Sequence, residues 1–116
     1  MGYNTYFDGL FKTDRPLDDE SVAEEFRLKF GDDGWELTEQ QKVYTEGGKM
    51  YSFRENIFDM AVWFYAKGFV LSGKMTYSGE NFGDLGIIEL DEDQMTIHEL
   101  DLDRRCFVTT VNRFLE

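Results

Sequence analysis

What this sequence lacks narrows its chemistry. Cysteine, histidine and proline each occur once, as Cys106, His98 and Pro16. A single thiol cannot close an internal disulfide and falls far short of a zinc ligand set, which points to a reducing compartment. Basic residues are scarce: 12 Lys and Arg stand against 24 Asp and Glu, a net charge of −12. No basic stripe is visible, so direct nucleic-acid binding is not expected. The same field repels anionic membranes and raises the encounter rate with basic protein surfaces. The apolar run Met60 to Ala66 is too short to span a bilayer. The opening MGYNTYFDG has neither a basic n-region nor an apolar h-region, and Tyr6 stands where a myristoylation signal needs Ser or Thr. The expected location is cytoplasmic.

What is present describes one packed domain over residues 1–116. Hydrophobic residues make up 41% of the chain, and 11 Phe, 6 Tyr and 2 Trp supply aromatic bulk that disordered chains do not carry. Tyr3 to Lys12 alternates, with Tyr3, Thr5, Phe7 and Phe11 on one face, and reads as a strand. The turn TDRPLDDE leads into a helix from about Asp18 to Phe30, on the spacing Val22, Phe26, Phe30. Gly31 to Gly34 stops it. WELT and KVYT read as two short strands. A second helix follows, with Ser52 and Glu55 spaced as a capping box and Gly68 as the glycine just past its end. Strands are expected at Phe69 to Ser78, Leu85 to Leu90 and Met95 to Leu100, the last two joined through DEDQ as a hairpin. Residues 103–116 are ambiguous: Phe107, Val111 and Phe114 fit a helix, Val-Thr-Thr-Val fits a strand, and a short helix is preferred. The order β-α-β-β-α-β-β-β predicts an α+β fold. Two helices would cover one face of an antiparallel sheet, as a ferredoxin-like split βαβ with a C-terminal hairpin extension.

Candidate chemistry is sparse. The glycines in YSGENFGDLGIIEL open into a strand rather than a helix, and Glu80 and Asp84 would repel phosphate, so the stretch reads as a strand connection. Asp91, Glu92, Asp93, Asp101 and Asp103 are hard oxygen ligands without an EF-hand pattern, so no metal site is assigned. His98 sits on a predicted strand, and Cys106 follows two arginines without a visible base. No catalytic residue and no cofactor is predicted.

Charge distribution stands out more. Glu80, Asp84, Glu89, Asp91, Glu92, Asp93, Glu99, Asp101 and Asp103 run through 24 positions without a single Lys or Arg. Were this segment a sheet edge, its carboxylates would line one rim, able to imitate a phosphate track and occupy a basic groove on another protein. Charged edges also serve simply to prevent sheet-to-sheet association. On the second helix, Phe58, Val62, Trp63 and Tyr65 add an apolar flank to the core stripe Phe53, Ile57, Met60, Ala61 and Phe64. That flank is either covered within the domain or forms an oligomer interface.

MGYNTYFDGLFKTDRPL and GFVLSGKMTYSGENFGDLGIIELDEDQMTI together resemble the two hallmarks of a group of small uncharacterised phage and bacterial proteins. The resemblance covers residues 1–17 and 68–97. It implies a phage or mobile-element accessory setting and brings no activity, cofactor or catalytic residue. The expected function is a small acidic, non-enzymatic protein-binding module that engages a basic surface, as a nucleic-acid mimic or host-defence inhibitor. The alternatives are a small-ligand or divalent-metal binder, using the loop after Ser78 and the acidic hairpin, and an oligomeric structural protein.

Overall fold

A computed structural model describes residues 3–17, 19–38, 41–50, 52–81, 83–91, 94–101 and 106–113, the backbone course only for 100, 101 and 106–113. The elements run β1 (Thr5–Thr13), α1 (Glu20–Phe30), β2 (Trp35–Thr38), β3 (Lys42–Thr45), α2 (Phe53–Ala66), β4 (Leu71–Gly79), β5 (Leu85–Asp91), β6 (Gln94–Asp101) and β7 (Cys106–Arg113). The α+β class expected from the pattern holds.

All seven strands join one antiparallel sheet in the order β2-β3-β1-β4-β5-β6-β7. Strand β1 lies between β3 and β4, so the unit β3-α2-β4 is split by a third strand; β3 likewise lies between β1 and β2. From β4 onward the chain simply meanders. The alternation of β1 is what orients it: Thr5, Phe11 and Thr13 are buried while Tyr6, Asp8, Leu10 and Lys12 are exposed. The same period of two carries across the sheet through Leu71, Met75 and Tyr77, then Ile88 and Leu90, then Met95 and Ile97.

Both helices cover that one face. Helix α1 begins at Asp19, whose carboxylate accepts from the Ser21 backbone N–H at 2.9 Å, filling an orphan donor of the first turn. Its Phe26 and Phe30 meet Trp63 and Phe64 of α2 at ring-centroid distances of 5.5 to 6.0 Å, in stacked and edge-on arrangements. Helix α2 sets Phe53 edge-on against Phe7 at 5.2 Å and tilted against Tyr77 at 4.9 Å. Each fully buried Phe contributes about 1.5–3 kcal/mol of transfer free energy. Among the described residues, no buried side-chain nitrogen or oxygen lacks a hydrogen-bond partner.

The end of α2 is a Schellman turn. Gly68, at φ 89°, donates to the Tyr65 carbonyl at 2.9 Å while Phe69 donates to Phe64 at 2.9 Å, and the rings of Phe64 and Phe69 pack 6.5 Å apart.

Three expectations are corrected. Ser52 makes no side-chain cap to α2, because its backbone, at φ −117° and ψ 35°, is not in the extended geometry a capping box needs. The preference for a helix in 103–116 fails over Cys106–Arg113, which pairs with β6 along its whole length; Thr-Thr flanked by valines fits a pleated strand, and the edge of β6 offers ladder partners that a helix would leave orphaned. Residues 102–105 and 114–116 lie outside the described residues. Because β7 covers β6, the acidic segment is not the sheet edge. Strands β5 and β6 are interior, and β2 and β7 are the edges.

Candidate functional site

The described acids of the run do not gather into one track. Strand β5 sets Leu85, next to Asp84, and Asp91 six residues apart, roughly 20 Å at strand rise. At one end, Glu80 accepts from the Asn4 N–H at 2.6 Å and Asp84 accepts from the Tyr3 hydroxyl. At the other lies Asp91, exposed beside the β5–β6 turn; Glu92 and Asp93 lie outside the described residues. Between them Glu89 pairs with His98 at 3.2 Å on the sheet face away from the helices, whereas Glu99 sits on the helix-covered face. Asp101 pairs in register with Cys106 at the end of β6, and Asp103 is outside the described residues.

The glycine-rich stretch therefore acts as a clasp. The Asn81 N–H donates to the Tyr3 hydroxyl at 3.0 Å, and Gly79 and Asp84 close the turn at 2.7 Å. Tyr3 and Asn4 are thus bound by Glu80, Asn81 and Asp84, which ties the start of the chain to the β4–β5 connection. The Asp84 carboxylate holds the Tyr3 phenol above its ordinary pKa, because it accepts the phenolic proton.

A second polar group is buried deeper and was invisible in the sequence. Arg54, in the first turn of α2, donates from Nε to Glu99 at 3.1 Å and from Nη2 to the Tyr77 hydroxyl at 3.0 Å, and its guanidinium lies over the rings of Phe53 and Tyr77 at 4.5 and 5.0 Å. Burial works against its charge, yet Tyr77 and Glu99 outweigh that and raise its pKa. Burial likewise pushes the Tyr77 phenol up, with Arg54 opposing. Room for this network comes from Gly86. A Cβ there would overlap the His98 carbonyl oxygen and lie 2.6 Å from the Tyr77 hydroxyl.

Beside this network the helix layer runs out. Between α2 and β6 lies a cleft of about 410 Å³ lined by Arg54, Glu55, Phe58, Asp59, Met95 and Ile97. Its floor is apolar. Glu55 and Asp59, one turn apart on α2 and both exposed, stand as its acidic wall. The sequence places Phe58 on a helix flank but carries no signal that it lines a cleft with β6, which is distant along the chain.

That flank divides. Phe58 packs against the core over β6, and Trp63 is held against α1 by Phe26 and Phe30, with the Lys67 ammonium 5.2 Å from its ring. Val62 and Tyr65 remain exposed. Among the described residues, no group of three or more His, Cys, Asp or Glu converges as a metal site, and no helix is long and apolar enough to cross a membrane. Compared with protein-family models, curated proteins and solved structures, the chain matches none.

Proposed function

We propose that this chain is a small acidic, non-enzymatic binding module that engages a basic surface of another protein. One observation carries the reading: the α2–β6 cleft combines an apolar floor with a carboxylate wall at Glu55 and Asp59, on a chain of net charge −12. An apolar floor supplies affinity by burial, and the carboxylates favour a partner presenting Lys or Arg over a neutral one. Dispersal of Glu80, Asp84, Glu89, Asp91 and Glu99 to both ends and both faces of the sheet makes this cleft, rather than a continuous phosphate-like track, the centre of the proposed contact. The sequence resemblance suggests that the partner is a host protein met by a phage or mobile-element accessory factor.

The test is capture from the native host at low and at high salt, with wild type beside a Glu55→Lys/Asp59→Lys double variant and a Phe58→Glu variant. A partner rich in Lys and Arg is expected, weakened by salt and lost with both variants. A partner that binds the variants as well as wild type, or is indifferent to salt, would refute the cleft as the site.

A further inference from the structure

The sheet has a second face, and it carries different chemistry. Both helices lie on one side, so among the described residues the opposite side of β1, β4, β5 and β6 has no layer over it. Three large exposed apolar side chains lie there, Tyr6, Leu10 and Leu85, with Tyr6 58% exposed, and a shallow cleft of about 410 Å³ runs between Tyr6, Thr76 and Ile87. The acid excess of the chain is nearly absent from this face. On these four strands it presents Asp8, Glu89 and Asp91 against Lys12 and Lys74, with His98 beside Glu89, an excess of one acid in a molecule of net charge −12.

The order of these charges is what commits the face to one occupant. The registers define two adjacent rows across the sheet: Leu10, Lys74, Glu89, Thr96, and Asp8, Thr76, Ile87, His98. A two-fold axis parallel to the strands and midway between β4 and β5 exchanges β4 with β5 and β1 with β6 while keeping each row level. Applied to a second copy laid face to face, it sets Lys74 against the partner's Glu89 and Asp8 against the partner's His98, each contact occurring twice. Thr76 and Ile87 meet at the centre. We infer that this face is an isologous, self-complementary interface, on which a second copy of the chain docks as an aligned sheet-on-sheet sandwich.

The size is of the right order. Four strands at about 4.8 Å spacing and seven residues at about 3.4 Å rise cover roughly 450 Å² of plane. Side-chain relief raises the accessible surface above that plane, toward the roughly 800 Å² per copy of a standard stable interface. A polyanion is the competing occupant, since three of the residues on this side of β1, β3 and β4 are Lys12, Lys42 and Lys74.

Sedimentation equilibrium of the intact chain over a concentration series decides between them. Wild type is expected to reach twice the monomer mass, and Thr76→Arg, at an exposed position, to remain a folded monomer by circular dichroism and melting. Lys74→Glu and Glu89→Lys singly should each weaken the dimer about tenfold, by placing like charges opposite each other, and the Lys74→Glu/Glu89→Lys double variant should restore it. A wild type that stays monomeric at the highest concentration overturns the inference. So does a dimer indifferent to Thr76→Arg, a double variant that fails to recover, or single-stranded RNA that binds this face with Lys74→Glu abolishing the binding.

Discussion

Gly86 is the position where the fold leaves least room, and Gly86→Ala tests it directly. The added methyl would overlap the His98 carbonyl oxygen across the ladder and stand 2.6 Å from the Tyr77 hydroxyl and 2.8 Å from its Cε1. Backbone oxygen cannot step aside without disturbing the β5–β6 register, and Tyr77 is 3% exposed with its hydroxyl bonded to Arg54. Overpacking of this kind costs about 3 kcal/mol at the upper end of its usual range. Reduced freedom of the unfolded chain returns under about 1 kcal/mol. The expected net loss is about 2 kcal/mol, or roughly 6–12 °C in Tm for a domain near 100 residues. Thermal unfolding followed by circular dichroism measures it. A Tyr77→Leu background removes the hydroxyl and the ring tip, so Gly86→Ala should cost about 1 kcal/mol less there, the residue being the overlap with His98. An unchanged melting temperature for Gly86→Ala, or strict additivity of the two substitutions, would refute the placement of Tyr77 over Gly86.

Three further outcomes are expected. Bonds from Ser21 hold the Asp19 pKa below its ordinary value, so the stability that carboxylate adds is present above about pH 4, the unfolded value, and fades as pH falls through the lower folded one; the melting-temperature gap between wild type and Asp19→Ala should be widest near neutrality and close in acid. Trp63→Glu should unfold or loosen the domain by about 2–3 kcal/mol rather than yield a stable variant, since the ring is wedged against Phe26 and Phe30; a denaturant melt matching wild type would contradict that packing. Adjacent residues of an antiparallel strand direct their N–H groups to opposite sides, so of Thr109→Pro and Thr110→Pro one should break a bond to β6 and the other should be far milder. Equal melting temperatures for that pair would argue against β7 as a strand.

Much of this architecture is legible along the chain because its causes are local. The period of two in β1, the i, i+4 spacing of Phe26 and Phe30, and Gly68 after α2 each depend on neighbours within a few residues, where backbone geometry and side-chain direction are already decided. Ser52 shows the limit even there: the right residues at capping-box spacing did not cap, because the entry angle of the chain into α2 follows from the packing of Phe53 on Phe7 and Tyr77. The segment Cys106–Arg113 shows another. Its local preferences are nearly balanced between helix and strand, and the open edge of β6 resolves them.

By itself the sequence determined the α+β class, the number and type of the α-helices and strands before residue 100, and the net acidity of the chain. The tertiary structure decided where that charge goes. It put Glu80 and Asp84 to work holding Tyr3 and Asn4, turned Glu99 inward to Arg54, left Glu55 and Asp59 beside an apolar cleft, and placed a nearly charge-balanced face on the far side of the sheet. The physical reason is range. Secondary structure follows from interactions over a handful of residues, whereas these groupings join positions 22 to 81 residues apart, which come together once the strand order has been chosen.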